Sequence, residues 1–336
     1  MNVRGVNYDT GFADVHARAA GRTTHEPFDP VVVAQEMRVI RDELHCTAVR
    51  ISGQHPERLK AAASAAAQAG LEVWLSPFTC DITAGELLGV IADLADHAET
   101  LRLSGAEVVM VTGSEVSMTT DGFLPGATFV ERLPLLPTGI AEVPDKINAF
   151  LAEAVTLVRE RFGGRVTYSS LPFEQVDWTI FDIIATDAGY RSAATAGTYR
   201  ESVRALVERG KALGKPVSVN EFGCVTFRGA ADAGERGDAI VEWGSDGRAV
   251  GLSRDIVRDE EEQARYLKEV LTILDEEGVD AAFWYTFARW DLPEEFDVAS
   301  PGVVKVLGDH VRWERKLAFT ALADFYGGTL DRPAGP

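Results

Sequence analysis

The sequence predicts an α/β fold, a single-domain (β/α)8 TIM barrel, and three observations lead to it. Strand-like and helix-like segments alternate along the chain of 336 residues, a pattern typical of a parallel sheet with right-handed helical crossovers. Eight strand-like segments over about 300 residues favour a closed barrel. The first strand is not followed by a glycine-rich phosphate loop, so the competing fold, a doubly wound open sheet, is disfavoured.

Short runs of β-branched and aromatic residues define the predicted strands. They cover residues 2–8, 47–51, 71–76, 107–112, 165–169, 181–185, 215–221 and 281–286. Segments with helical spacing of apolar residues lie at 30–44, 56–70, 83–104, 145–162, 196–213, 260–277 and 314–326. Pro30 and Gly70 support two of these helices, because proline favours a helix start and glycine a helix end. Only a short turn around 173–178 joins the fifth and sixth strands.

The chain is predicted to form one domain, residues 1–330, followed by a short C-terminal tail at 331–336. Two segments without clear periodicity are predicted as long loops. The first, 116–144, holds four prolines and follows the fourth strand. The second, 223–257, is rich in Gly, Asp and Arg and follows the seventh strand. Loops of this length in a compact domain are usually functional.

Composition limits the class of protein and its partners. Apolar residues make up 46% of the chain, enough for a sizeable core, and the net charge of -19 argues against nucleic acid and against anionic membranes as partners. Cys46, Cys80 and Cys224 form no disulfide framework, and the six histidines show no metal spacing, so neither a metal nor another cofactor is expected. The N-terminus has no apolar signal core and no apolar run is long enough to cross a bilayer. A cytoplasmic protein is therefore predicted. Arg greatly outnumbers Lys and Ala is abundant, which fits a bacterial source, and the oligomeric state is not predicted.

The segment 215–223 brings a carboxylate to the end of a buried strand. Val217 and Val219 favour a pleated, buried conformation, and Glu221 follows them closely. Gly223 then allows the chain to turn away. In a barrel of parallel strands, the C-terminal ends of the strands carry the catalytic groups. The alternative interpretation is an ordinary strand end with a solvated Glu.

The other strand ends supply further candidates for one shared pocket. These are Tyr8, Asp9, Arg50, Phe78, Glu115, Glu174, Asp187, Tyr190 and Trp284. Glu115 and Glu221 follow the fourth and seventh strands, on opposite walls of the predicted barrel mouth. Two such carboxyl groups can cleave a glycosidic bond, one protonating the leaving oxygen and the other attacking the anomeric carbon or activating water. A gap of roughly 5–5.5 Å predicts a covalent intermediate and retention, and a wider gap predicts inversion.

Four motifs in this order resemble the clan A glycoside hydrolases, a superfamily of retaining (β/α)8 glycosidases. The resemblance implies that Glu115, in Val-Thr-Gly-Ser-Glu, is the acid/base and that Glu221, in Val-Asn-Glu-Phe-Gly, is the nucleophile. It implies further that Arg50, in Ala-Val-Arg-Ile, supports the nucleophile and that Trp284, in Phe-Trp-Tyr-Thr-Phe, forms the floor of the sugar site. The closing segment 316–326 is similar to the final helix of many members, so the resemblance covers nearly the whole chain.

The chain departs from the superfamily pattern just before the acid/base. The superfamily usually has Asn there, where it binds the sugar 2-hydroxyl, and this chain has Ser114. Contacts to that hydroxyl stabilise the transition state, so the substrate lacks or modifies the hydroxyl, another residue replaces the contact, or activity is low. The short crossover after the fifth strand would widen the pocket near Glu174. Tyr190 is the candidate for the aromatic contact to the nucleophile.

The proposed roles place opposite demands on the two carboxyl groups. Glu115 has to be protonated near neutral pH, through burial and through the negative charge of Glu221. Glu221 has to stay ionised, and Arg50 nearby would lower its pKa. The alternative for Arg50 is a salt bridge inside the barrel with no role toward the substrate.

The remaining candidates are predicted to contact the substrate, each against a plainer alternative. Trp284 is expected to expose a ring face for stacking on a sugar, the alternative being core packing. Tyr8 is expected at the same strand ends, within reach of the sugar. Asp9, Glu174 and Asp187 are candidate acceptors for sugar hydroxyls, or else part of a solvated acidic rim.

Three functions remain open from the sequence. The first is a retaining β-glycosidase that acts on a soluble oligosaccharide or glycoconjugate without a cofactor. The second is a barrel enzyme of another class that uses the same carboxylates, although a strand-end Lys for Schiff-base chemistry is missing. The third is a catalytically weak or inactive barrel that binds a glycan or a protein partner. Ser114 and the two long loops favour the third, and the pair of carboxylates argues against it.

Overall fold

A computed structural model describes residues 1–13, 21–253 and 256–328 of the chain. The predicted tail at 331–336 lies outside the described residues, as do two residues of the second predicted loop. Within the described ranges, no helix is both long enough and apolar enough to span a membrane.

Eight parallel strands form one sheet, which confirms the predicted fold class. We label them β1 (Val3–Asp9), β2 (Ala48–Gly53), β3 (Glu72–Pro77), β4 (Val108–Ser114), β5 (Arg165–Ser169), β6 (Ile184–Thr186), β7 (Val217–Phe222) and β8 (Ala281–Trp284). Their order in the sheet is β5-β4-β3-β2-β1-β8-β7-β6. A parallel bridge between Ser170 and Thr186 connects the two outer strands, so the barrel is nearly closed. All eight strand ends therefore meet around one mouth.

The helices that surround the barrel follow the predicted spacing closely. They are α1 (Pro30–Asp42), α2 (Pro56–Gln68), α3 (Ala84–Leu103), α4 (Val143–Arg159), α5 (Tyr199–Leu213), α6 (Glu260–Glu277) and α7 (Leu317–Gly328). Local signals set their ends: Asp29 caps α1 and Thr83 forms a capping box with Glu86 at the start of α3. The last helix begins later than predicted because Trp313–Arg315 pairs as a short strand with Val304–Val306.

The lower half of the barrel interior is apolar. Ala48, Trp74, Val109, Val111, Ile183, Ala281 and Phe283 form one buried cluster there. The Trp74 and Phe283 rings lie 4.8 Å apart, centroid to centroid, so Trp74 packs in the core. Because strand side chains alternate, the intervening residues pack outward between the sheet and the helices.

A polar layer lies above this cluster and supports the mouth. The Asn7 side-chain amide donates to the Asn220 carbonyl at 2.9 Å. The Asn220 amide in turn donates to the Ser169 hydroxyl at 2.6 Å. All three side chains are buried and hydrogen bonded, so the strand ends are fixed before the loops begin.

The first of the two predicted loops, 116–144, is largely helical, and the prediction of an irregular loop was wrong. It contains a helical turn, Val116–Thr119, and a helix, Phe129–Gly139, that accommodates two of the four prolines. The prolines suggested a helix breaker. Thr128 forms a capping box that starts the helix, and the buried Arg132 side chain donates to two carbonyls of the Val116–Thr119 turn.

The second predicted loop, 223–257, also holds regular structure. A helical turn, Ala230–Ala233, is followed by a 3-10 segment, Gly234–Ile240. An antiparallel hairpin of Val241–Trp243 with Ala249–Leu252 then follows. The sequence missed this hairpin because its strands are short and its turn, Gly-Ser-Asp-Gly, was taken as part of a longer loop.

Candidate active site

Glu115 stands directly after β4, where the strand passes into the Val116–Thr119 turn. Gly113 has φ +135°, and a Cβ atom there would lie 2.6 Å from a Val116 methyl carbon, so the close approach requires glycine. Glu115 itself has φ +50°, in the left-handed region that residues with a side chain rarely adopt. Its N–H donates to the Ser169 carbonyl at 3.1 Å. An uncommon backbone conformation of this kind, held by its neighbours, is characteristic of functional sites.

Three negative charges and burial act on the Glu115 carboxyl group. Burial is the largest cause that raises its pKa well above the usual range. The charges of Glu221, Asp187 and Glu174 raise the pKa further, and Arg50 opposes them weakly. Burial and these charges favour the protonated form of Glu115, which is the form that a general acid needs. Because the charge of Glu221 raises the Glu115 pKa, the two carboxyl groups share one electrostatic environment.

Glu174 lies beneath the turn that carries Glu115, and its side chain is fully buried. Its Oε1 accepts from the Ser117 hydroxyl at 2.6 Å and from the Tyr168 hydroxyl at 2.7 Å. Its Oε2 accepts from the Leu171 N–H at 2.8 Å. Tyr168 also accepts from the Val116 N–H at 2.9 Å. The structure thus places Glu174 behind the site, where it holds the turn, and the prediction of a rim position is wrong.

Glu221 is the next-to-last residue of β7, and its side chain remains 22% exposed. The Tyr190 hydroxyl donates to its Oε1 at 2.8 Å, which agrees with the aromatic contact expected of Tyr190. A guanidinium nitrogen of Arg50 lies 3.8 Å from its Oε2. Arg50 and Tyr190 lower the Glu221 pKa, but burial and the charge of Asp187 outweigh them and raise it to about 8. Arg50 therefore lowers the Glu221 pKa as expected, but burial and the Asp187 charge together raise that pKa by more.

Arg50 makes its closest ionic contact with Asp187, which follows β6. Two guanidinium nitrogens donate to the two Asp187 oxygens at 3.0 and 3.3 Å. The Ser114 hydroxyl donates to Oδ2 of the same carboxylate at 2.5 Å. Asp187 and Ser114 are both buried, so the predicted acidic rim does not include Asp187. The structure therefore joins the ends of β2, β4 and β6 through one carboxylate.

Asp9 lies on the β1 side of the mouth and is also buried. Its carboxylate accepts from the Gly11 N–H at 2.7 Å and from the Thr24 hydroxyl at 2.5 Å. Burial is the main cause that raises its pKa to about 6. The Asp291 charge raises this pKa further and Arg289 lowers it, so these two residues lie near Asp9.

Tyr285, directly after β8, is a site residue that the sequence analysis missed. Its side chain is partly exposed. Burial is the main cause that raises its pKa, Arg289 lowers the pKa, and the charges of Glu221 and Asp9 raise it further. Together with Tyr190 and Arg289 it lines a small cavity beside Glu221. A Cβ atom at Gly223 would lie 2.4 Å from the Tyr285 carbonyl oxygen, so the chain can pass this point only as glycine.

Tyr8 and Trp284 point away from the mouth, which corrects two predictions. The Tyr8 hydroxyl donates to Glu36 of α1, whose other oxygen accepts from Trp313 at 2.9 Å. The Trp284 ring is 0% exposed, and its N–H donates to the Pro301 carbonyl at 2.9 Å. Neither ring has a face open to a sugar.

The physical reason for both errors is the two-residue period of a strand. Asn7 and Tyr285 adjoin Tyr8 and Trp284 in sequence, and these neighbours face the mouth. Asn7 accepts from Arg50 at 3.3 Å, in addition to its own bond to the Asn220 carbonyl. Counting the alternation from the glycine and polar positions of β1 could have identified Asn7 from the sequence.

A second cavity flanks the site on the side of β1 and β8. It has a volume of about 160 Å³ and is lined by Arg22, Thr23, Trp243, Arg248, Asp291, Pro293, Phe296 and His310, together with two small residues of the hairpin. Among the other aromatic residues near the mouth, Trp178, Phe227 and Trp290 are buried. Trp243 is therefore the loop tryptophan that lies beside open space.

Within the described ranges, the His, Cys, Asp and Glu side chains form no group of three that could hold a metal ion. The buried carboxylates of the mouth are instead satisfied by protein donors: Asp9 by Thr24, Glu174 by Ser117, and Asp187 by Arg50. The chemistry that this arrangement supports is proton transfer and nucleophilic attack by carboxyl groups.

Comparison of the sequence with protein-family models gave no match, and the search of curated proteins also gave none. Solved structures do resemble the chain. A GH113 beta-1,4-mannanase has a TM-score of 0.62 at 15% identity over 97% of this chain and 99% of that chain. The GH113 beta-mannanase AaManA from Alicyclobacillus acidocaldarius has a TM-score of 0.58 at 17% identity, with 97% of each chain covered.

A GH5_18 protein from Bifidobacterium longum subsp. infantis is similar over all of this chain. Its TM-score is 0.59 at 13% identity, and the match covers 100% of this chain and 81% of that chain. Sequence identity at this level shows a common fold and no more. The chain thus shares the barrel fold of these solved structures.

Proposed function

We propose that the protein is a retaining β-glycosidase, with Glu115 as the acid/base and Glu221 as the nucleophile. The observation that carries the proposal is the electrostatic coupling of two carboxyl groups at the ends of β4 and β7. Burial and the Glu221 charge raise the pKa of Glu115. Burial also raises the pKa of Glu221, but Glu221 has two contacts that favour a carboxylate, a phenol donor and a guanidinium. Pairs whose environments separate the acid from the base are the usual sign of such chemistry.

The reaction takes two steps. In the first, a Glu221 oxygen forms a bond to the anomeric carbon, the glycosidic C–O bond breaks, and the Glu115 proton moves to the leaving oxygen. In the second, Glu115 takes a proton from water, the water oxygen bonds to the anomeric carbon, and Glu221 leaves as a carboxylate. The configuration at the anomeric carbon is inverted twice and so retained.

The substrate is a soluble oligosaccharide or glycoconjugate. Neighbours with the same fold include proteins named as mannanases and β-glucuronidases, so the fold accommodates more than one sugar. The site of this protein adds Tyr285 beside Glu221 and the cavity at Arg22 and Trp243 as surfaces for sugar rings beyond the cleaved bond. Aromatic faces and a few polar groups are the usual lining of such sites.

A second candidate, a barrel that binds a glycan or protein with little catalysis, is favoured by one observation. Burial and the Asp187 charge raise the pKa of Glu221 to about 8, which favours its protonated, non-nucleophilic form. A glycosidase whose nucleophile has a raised pKa is most active in mildly alkaline solution, because the nucleophile has to be ionised. A binding barrel does not need an ionised Glu221 for any catalytic step.

The test is hydrolysis of a panel of aryl β-glycosides on both sides of that pKa, with the first-formed anomer read by proton NMR. A retaining β-glycosidase releases the β-anomer of one sugar first, and its rate increases with pH through the acidic limb. Initial release of the α-anomer would contradict retention. Absence of turnover on every aryl glycoside, with retained binding of an oligosaccharide, would support the binding barrel instead.

A further inference from the structure

A third carboxylate, Asp187, shares the guanidinium group that faces the proposed nucleophile. Asp187 is 0% exposed at its side chain and Arg50 is 2% exposed, so their ion pair is shielded from solvent. The two donors of Arg50 reach both Asp187 oxygens in a bidentate arrangement, at 3.0 and 3.3 Å. This geometry is the strong form of an arginine–carboxylate contact.

Arg50 has three further acceptors besides Asp187. Its remaining acceptors are the side-chain oxygens of Asn7 and Ser76 and the Asn220 carbonyl, at 3.3, 3.4 and 3.1 Å. Its distance to Glu221 is 3.8 Å, beyond hydrogen-bond range. The Arg50 N–H groups therefore donate to Asp187 and to the polar layer. Arg50 acts on Glu221 only through the electrostatic attraction between the two charges.

Asp187 is fixed from a second side by Ser114. The Ser114 hydroxyl donates to Asp187 Oδ2 at 2.5 Å, and the Asp187 N–H donates to the Ser170 carbonyl at 3.0 Å. The proton of Ser114 is therefore directed at Asp187 and away from a ligand. The residue next to Glu115 and the cation next to Glu221 are connected through one buried side chain.

We propose that Asp187 is a positioning residue for the glycosidase reaction, which holds Arg50 and Ser114 and so determines how much positive charge reaches Glu221. The inference rests on the proposed function for its catalytic meaning. The competition of Asp187 and Glu221 for the Arg50 guanidinium follows from the distances alone and does not depend on that function.

The direction of the effect follows from the groups that face Glu221. They are Asp187 after β6, Tyr190 in the loop that follows, Glu235 after β7, Arg50 on β2, Tyr285 after β8 and Glu115 after β4. The Asp187→Asn substitution removes one negative charge and frees Arg50 to approach Glu221. Both changes favour the ionised form of Glu221, so its pKa falls.

The test is the pH profile of kcat/KM for Asp187→Asn against the unmodified protein. The acidic limb, which reports ionisation of the nucleophile, is expected to shift downward by about one pH unit or more, the usual effect of a freed Arg beside a carboxylate. Asp187→Ser, neutral and smaller, repeats the test if Asp187→Asn does not fold. An acidic limb that stays in place in a folded neutral variant would overturn the proposal.

Asp297→Asn is the matched control. Asp297 is equally buried, and its ion pairs are with Lys316 and Arg258. Loss of that pair is expected to lower the free energy of unfolding without moving the acidic limb. An equal shift of the limb in this control would show that the Asp187 result reflects general damage.

A second readout separates this proposal from the proposed function. Carbon-13 NMR of the Glu221 carboxyl, assigned with Glu221→Gln, follows its ionisation in the whole protein without any substrate. A lower midpoint in Asp187→Asn supports the inference even if no glycoside is cleaved, in which case only the glycosidase proposal fails. Equal midpoints in the two proteins would overturn the inference whatever the activity.

Discussion

The two sides of the barrel mouth treat their carboxyl groups differently. On the β4 side, Glu115 precedes the Val116–Thr119 turn, in which the Ser117 hydroxyl donates to Glu174 and the Val116 N–H donates to the Tyr168 hydroxyl. On the β7 side, Glu221 accepts from Tyr190 and has Arg50 at 3.8 Å. The first environment favours a protonated acid, and the second contains the groups that stabilise a carboxylate. This asymmetry, rather than the presence of two glutamates, supports the assignment of roles.

The largest expected effect is the loss of the nucleophile. Glu221→Gln keeps the Tyr190 contact but removes the attacking oxygen, so kcat should fall on the order of 10⁴-fold. The measurement is turnover of the best aryl β-glycoside. A smaller, nucleophile-free variant, Glu221→Ala, should recover turnover with added azide and yield the α-glycosyl azide. Near-normal kcat in Glu221→Gln would break the assignment.

Loss of the acid/base should depend on the leaving group. Glu115→Gln removes the proton donor, so kcat/KM for alkyl glycosides or disaccharides should fall by about 10²–10⁴-fold. Nitrophenyl glycosides need little protonation of the leaving oxygen and should be cleaved to the glycosyl-enzyme nearly normally. Azide should then rescue the second step and yield the β-glycosyl azide. An equal loss on all leaving groups would contradict the role of Glu115.

A smaller effect is expected from the support beneath Glu115. Glu174→Gln replaces an acceptor by an amide next to the donors of Tyr168 and Ser117, so the turn should shift and kcat should fall by about 10–100-fold. The loss should be larger for poor leaving groups than for good ones.

The control for that prediction is Glu36→Gln on the outer face of the barrel. Glu36 is a buried glutamate that also accepts from a tyrosine and a second donor, Tyr8 and Trp313. The Glu36→Gln substitution should lower the free energy of unfolding without changing how the rate depends on the leaving group. The same leaving-group dependence in both variants would remove the special role of Glu174.

The smallest pair of effects separates the two faces of β8. Tyr285→Ala removes a ring from the mouth, so kcat/KM should fall on the order of tenfold with little change in stability. Trp284→Phe removes the bond to the Pro301 carbonyl and should cost about 1–3 kcal/mol of unfolding free energy with KM unchanged. Denaturant unfolding and steady-state kinetics of both variants test this. The reverse pattern would place Trp284 at the sugar.

Much of the fold was accessible from the sequence because its signals are local. The period of apolar residues located all seven surrounding helices, and capping residues such as Thr83 and Asp29 set their starts. The helix at Phe129–Gly139 was missed because its prolines suggested a break, whereas the bonds of Arg132 that hold it come from residues more than ten positions away.

The site was accessible only in part, for a related reason. Strand ends can be located to within one or two residues, and one residue decides which face a side chain takes. Because of that uncertainty, Tyr8 was predicted at the mouth in place of Asn7, and Trp284 in place of Tyr285. The contact of Asp187 with Arg50 and Ser114 joins three strand ends that are separated by more than 60 residues each, and no local pattern encodes it.

The central claim is that Glu221 forms a covalent bond with a sugar. We would incubate the protein with 2-deoxy-2-fluoro glycosyl fluorides of several sugars and examine it by intact and peptide mass spectrometry. The account predicts an adduct with one sugar on the peptide that carries Glu221, absent from Glu221→Gln. An adduct on another carboxylate would contradict the assignment, and no adduct with any sugar, together with no turnover of the matching aryl glycosides, would contradict the glycosidase proposal itself.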